Sequence, residues 1–146
     1  MIFNQTFCGF DVFINSQMIY FSSKKSKELL AILVDRRGGS VSISQLACML
    51  YKNIPERTAK KNIRVLVHRL RKVLKAYDCE ELLIHQRGVY SINTRLFKCD
   101  LYEFLNGNKV YMTAYTGKYM EEYPWASETV PYLNLLYNGY YAKKEP

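Results

Sequence analysis

The stretch TAKKNIRVLVHRLRKVLKAY, Thr58 to Tyr77, places Ile63, Leu66, Val67, Leu70, Val73, Leu74 and Tyr77 at three- and four-residue steps. That period gathers them into one stripe and predicts a helix over about Thr58 to Ala76 with the stripe turned to a core. The other faces are almost wholly cationic: Lys60, Lys61, Arg64, His68, Arg69, Arg71, Lys72 and Lys75 occupy them, with no Asp or Glu in between. A merely solvated helix mixes signs, because like charges on neighbouring turns repel. A phosphate backbone supplies the missing negative charge and releases its counterions on binding. A helix of about 19 residues, rising about 1.5 Å per residue, is long enough to lie in a major groove. The candidates for base readout are Arg64, His68 and Arg69, and for phosphate contact Lys60, Lys61, Arg71, Lys72 and Lys75.

Toward the amino terminus, Pro55 suits a helix start because the first turn does not use its missing N–H. Before it, Ser42 and Gln45 have the spacing of a capping box, predicting a short helix to about Tyr51 with Leu46, Met49 and Leu50 buried. Short helix, connection from Lys52 to Arg57 and long helix follow in the order of a helix-turn-helix. Ser22 and Ser23 offer caps to an earlier helix, about Lys24 to Arg37, which Gly38 and Gly39 end. Lys24, Lys25 and Lys27 crowd its start, where cations oppose the helix dipole, so either their work lies outside that helix or they form a solvated cluster. Phe10, Val12 and Ile14 alternate with polar or small residues, and Asn15 to Gln17 supplies a turn, so Ile2 to Phe21 reads as a small antiparallel sheet.

Toward the carboxyl terminus, Leu82 to Ile84 and Val89 to Ile92 flank His85-Gln86-Arg87-Gly88, a hairpin pattern with Arg87 at the tip and Gly88 permitting the turn. It is expected to project beyond the helices, as a wing does. From Cys99 onward aromatic residues become dense. Asp100 and Glu103 can cap a short helix from Leu101 to Leu105, Tyr115 to Trp125 reads as packed turns, and Pro131 opens a last helix with Leu133, Leu135 and Leu136.

The net charge of +8 is unevenly placed: residues 1–99 carry 17 Lys and Arg against 7 Asp and Glu, and residues 100–146 carry 4 against 6. A polyanion-binding part is thus joined to a near-neutral part. At 146 residues and 49% hydrophobic composition the chain is long and apolar enough to fold around its own core. No run is long enough to span a membrane and no secretory signal opens the chain, so a cytoplasmic protein is expected. Cys8, Cys48, Cys79 and Cys99 form no metal-binding spacing with each other or with the two histidines, and no cofactor motif is present. No nucleophile, base and acid set, paired carboxylates or phosphate-cradling glycine loop occurs, so no enzyme is expected.

The long helix segment NIRVLVHRLRKVL, Asn62 to Leu74, with RGVY at Arg87 to Tyr90, resembles the OmpR-type winged helix. The stretches CDLYEFL, Cys99 to Leu105, and YTGKYMEEYPWA, Tyr115 to Ala126, resemble parts of the bacterial transcriptional activator domain (BTAD) that follows it in the antibiotic regulatory protein (SARP) family. The resemblance implies an α+β fold: an N-terminal sheet, three helices and a hairpin wing over residues 1–97, then a short, mostly helical appendage over 98–146. It implies sequence-specific binding of double-stranded DNA at promoter direct repeats, with weak or DNA-dependent homodimers. Arg64, His68, Arg69 and Arg71 would face DNA, and Arg87 and Gly88 would form the wing. The loop bearing Lys52, Asn53, Glu56 and Arg57 would touch RNA polymerase. It further implies either a regulator without a receiver domain or, the favoured alternative, the output part of a two-component response regulator whose receiver domain lies elsewhere. An RNA-binding domain or a basic module for an acidic protein are the alternatives, although the aromatic residues that would stack on RNA bases cluster away from the cations.

Overall fold

The structure, a computed structural model, describes residues 1–144. In chain order its elements are β1 (Ile2–Gln5), β2 (Asp11–Ile14), β3 (Gln17–Met18), α1 (Lys24–Asp35), β4 (Val41–Ser42), α2 (Ile43–Leu50) and α3 (Glu56–Ala76). There follow β5 (Leu83–Gln86), β6 (Val89–Ile92), β7 (Phe97–Cys99), α4 (Asp100–Leu105), α5 (Lys109–Ala114) and α6 (Val130–Lys144). This is a mixed α and β fold, with two small sheets and six α-helices among the described residues. It divides into two compact units, one from Tyr20 to Leu96, the other joining Met1–Ile19 to the chain from Phe97 onward. The second unit therefore draws on both sides of the division at residue 97 read from the sequence.

In the Tyr20–Leu96 unit, Ser23 caps α1 by accepting from the Ser26 N–H at 3.2 Å. Leu29 to Val34 are all buried along it. The helix stops at Asp35, two residues before the expected end, because Arg37 and Gly38 both turn to positive φ. The capping box of α2 forms as the spacing predicts, with the Gln45 N–H donating to Ser42 Oγ at 3.0 Å and the Ser42 N–H to Gln45 Oε1 at 2.9 Å. Ile63, Leu66, Leu70 and Leu74 of α3 are buried, as are Leu29 and Leu33 of α1 and Leu46 of α2, each at 2% exposure or less. Burying a leucine of this kind is worth about 1.5–3 kcal/mol, so the stripe holds α3 to its unit. The three strands run in the order β4-β6-β5, all antiparallel.

In the other unit the strand order is β3-β2-β1-β7. The expected antiparallel sheet is in fact mixed, because β7 joins it parallel to β1 with Asn4 opposite Cys99. Asp100, directly after β7, explains the join. Its buried carboxylate accepts from the Thr6, Phe7 and Leu101 N–H groups at 2.8–3.0 Å and from the Thr6 hydroxyl. The turn before β3 is tighter than expected, with Asn15 and Ser16 alone at positive φ between Ile14 and Gln17. Residues 6–10 are laced to 118–122 by Cys8 N–H to Lys118 O, Met120 N–H to Thr6 O and Glu121 N–H to Cys8 O, at 2.8–2.9 Å. The aromatic residues of this unit pack on one another: the rings of Phe7, Phe104 and Tyr115 lie 5.2–5.7 Å apart, and Tyr115 donates to Asn134 at 2.7 Å.

Candidate nucleic-acid interface

α3 begins at Glu56, about half a turn before the expected Thr58, with Pro55 as its N-cap residue. The earlier start brings an acid into the first turn, favourable at the positive end of the helix dipole. Glu56 pairs with Lys60 at 3.2 Å and accepts weakly from the Ser44 hydroxyl at 3.4 Å. The absence of acids read over Thr58–Tyr77 thus gives way to one ion pair at the helix start. Beyond that turn the helix carries no acid.

Of the candidate readers, Arg64, His68 and Arg69 are all exposed. Among the candidate phosphate contacts Lys61, Lys72 and Lys75 are exposed, whereas Lys60 and Arg71 are half-buried. Tyr77, counted in the apolar stripe, is 41% exposed. At about 100° per residue the cations are not spread evenly. Lys60, Arg64, Arg71 and Lys75 follow one flank at steps of four, seven and four, and Lys61, His68 and Lys72 run beside them along the outermost ridge. The opposite flank carries Thr58, Asn62, Val65 and Arg69, with Arg69 its one cation. Sequence reasoning assigns nothing to Val65 or Asn62. The available signal is a β-branched apolar residue off the core stripe, and Val65 is 43% exposed.

Arg69 lies within electrostatic reach of Tyr51, the residue that ends α2. Burial raises the Tyr51 hydroxyl above its ordinary pKa, the Arg69 guanidinium pulls it back and Glu28 adds to the rise. Lys25 stands over the same ring, 4.8 Å from its centre, while its ammonium donates to the Leu50 carbonyl at 2.9 Å. Of the lysines at the start of α1, Lys25 therefore serves α2 within the same unit: a cation satisfies a carbonyl at the negative end of that helix. Lys24 is exposed, and Lys27 lies 5.9 Å from the Phe21 ring.

The β5–β6 hairpin turns on Arg87 and Gly88, both exposed and both at positive φ, 43° and 78°, between paired Gln86 and Val89. Two positive values in a two-residue loop match the twist of the flanking strands. The hairpin does not project freely: β4 pairs with β6, and the Ile43 N–H at the start of α2 donates to the Gly88 carbonyl at 3.0 Å. Its side is braced by His85 stacked on Tyr90, ring centres 4.4 Å apart. α2 is thus held to the hairpin turn at its first residue and to Lys25 at its last. Of the four residues expected in the loop, Lys52 and Asn53 lie in it, whereas Glu56 and Arg57 form the first turn of α3 because the helix starts earlier than expected; all four are exposed, at the other end of α2 from the hairpin.

Among the described residues no group of three or more His, Cys, Asp or Glu could hold a metal ion, and no helix is long and apolar enough to cross a membrane.

Neither a protein-family model nor a curated protein matches this chain. A similar solved structure is that of Mycobacterium tuberculosis EmbR in complex with a low-affinity phosphopeptide, at a TM-score of 0.72 and 19% identity. The match covers 97% of this chain and 43% of the EmbR chain, so this chain spans less than half the length of that neighbour. At that identity the likeness is one of fold, and the fold is EmbR-like.

Proposed function

We propose that this chain binds double-stranded DNA sequence-specifically and regulates transcription, as a winged helix-turn-helix of the OmpR type found in SARP regulators. The observation that carries the reading is the outer surface of α3, where seven exposed or half-buried Lys and Arg side chains follow one another from Lys60 to Lys75 with Glu56 the sole acid on the helix. α3 enters the major groove, and the cations along it hold the phosphates on either side. The β5–β6 hairpin is the wing, with Arg87 reaching the backbone or minor groove. The tie from Ile43 to Gly88 supports this role, since it fixes the spacing between wing and α2.

The wider reading follows from the family resemblance and the EmbR-like fold. The chain acts in the bacterial cytoplasm as the output part of a response regulator, binds promoter direct repeats with little dimerisation off DNA, and offers Lys52, Asn53, Glu56 and Arg57 to RNA polymerase. It has no catalytic role.

The test is a competition measured by fluorescence anisotropy. Duplex DNA of mixed sequence binds, and binding falls steeply as salt rises. Single-stranded RNA or polyglutamate displacing the duplex at equal charge would favour the RNA-binding or acidic-partner reading instead.

A further inference from the structure

The two flanks of α3 differ in chemistry, and this difference assigns them different work. A phosphate oxygen asks only for positive charge and an N–H, so a surface that tracks the backbone can be made of cations alone. Base edges ask for a mixture: an acceptor and donor pair for adenine, a fork of donors for guanine, and an apolar contact for the thymine methyl. The flank with Lys60, Arg64, Arg71 and Lys75 is uniform. The flank with Thr58, Asn62, Val65 and Arg69 holds a hydroxyl, an amide, a partly exposed isopropyl group and one guanidinium, at successive steps of four, three and four residues.

We infer that Thr58, Asn62, Val65 and Arg69 form the row of α3 that reads bases, with Val65 packed on a thymine methyl, and that Arg64 belongs with the phosphate contacts. The inference rests on the reading of α3 as the groove helix and moves the division of labour along it.

Val65 is the informative member. A β-branched residue in the middle of a helix is a poorer helix former than the lysines and arginines around it. At 43% exposure it leaves much of its side chain outside the core, where the charged neighbours make an apolar group least useful for solubility. A methyl group presented by the partner gives it an apolar surface to cover. Asn62 has an amide of the kind that pairs with adenine, and it is half-exposed on the same row. Arg69 is the one cation of the row, and its guanidinium lies within electrostatic reach of the Tyr51 hydroxyl at the end of α2. The planar fork of donors on a guanidinium is the geometry that a bidentate contact to guanine needs.

The experiment begins with selection of binding sites from a random duplex library by the whole chain. Each thymine of the selected site is then replaced in turn by deoxyuridine, which removes only the methyl. The wild type should lose about fourfold in affinity at one or two positions, the worth of one methyl buried against another. Val65→Ala should show no loss at those positions. Asn62→Ala and Arg69→Ala should change the selected motif, and Arg64→Ala should weaken all duplexes alike with the motif unchanged. Circular dichroism checks that each variant is folded, and all four side chains are at least partly exposed.

A motif in which no thymine is sensitive to loss of its methyl, or in which Val65→Ala keeps the sensitivity, overturns the inference while leaving sequence-specific DNA binding intact. So does a motif that changes with Arg64→Ala and not with Asn62→Ala or Arg69→Ala. If no motif emerges at all, the reading of α3 as a DNA-binding helix falls, and this inference with it.

Discussion

The hydroxyl of Ser26, buried in the first turn of α1, donates to the main-chain carbonyl of Leu66 in the middle of α3 at 3.0 Å. It is a directional tie between the two helices where the leucine contacts around it are not directional, and it fixes the position of α3 along its axis. Ser26→Ala removes the donor and leaves a buried acceptor with less than its share of partners. A loss of about 1 kcal/mol in unfolding free energy is expected, read by urea denaturation.

Arg87 occupies a left-handed conformation that costs a residue with a Cβ roughly 1–2 kcal/mol relative to glycine. Asparagine and glycine are the residues this turn prefers. Arg87→Gly should therefore stabilise the unit by about 1 kcal/mol while weakening duplex binding. Thermal unfolding and anisotropy on the same preparation check both halves, and a variant that is stabilised without losing affinity would remove Arg87 from the interface.

The four thiols should divide evenly in reactivity. Cys8 and Cys48 are exposed, Cys79 and Cys99 buried. Burial is the main cause that pushes the Cys99 thiol far up, with the Asp100 carboxylate next. The Cys79 thiol is raised likewise, by burial first and then by Glu80 and Asp78. The thiolate is the reactive form, so both buried cysteines stay protonated well into alkaline solution. Iodoacetamide at neutral pH should label two sites in the native protein and four after denaturation, counted by mass spectrometry.

Lys72 lies on the outermost ridge of α3, exposed and placed with the phosphate contacts. Lys72→Ala should weaken binding to every duplex by a similar factor. It should also make the dependence of log affinity on log salt shallower by about 0.9, one counterion's worth. A titration series across salt concentrations measures the slope.

What the sequence reveals here is what local physics decides. The stripe from Ile63 to Leu74 is unambiguous because it keeps the helical period over several turns. Ser42 with Gln45, and Arg87 with Gly88, announce a cap and a turn by residue chemistry alone. β7 escapes notice because three residues, Phe97 to Cys99, are too few to show a period, and its pairing with β1 depends on Asp100 meeting Thr6 and Phe7 ninety-odd residues away. The start of α3 is signalled by Pro55, which stands directly before its first residue, but not to the residue, because Pro55 makes no side-chain cap bond. At the candidate interface the concentration of charge and its division between two flanks both follow from the helical period, but the exposure of each side chain, Val65 at 43% among them, does not. Nor does the service of Lys25 to Leu50, since it needs the end of α2 brought up to the start of α1.

The most direct test of the account is the selection itself: the 146-residue chain presented with a random duplex library at physiological salt, in parallel with its Arg69→Ala variant. The account predicts one enriched motif for the native chain and a motif relaxed or changed at a single position for the variant. Equal recovery of all sequences by the native chain, or an identical motif from the variant, would contradict it.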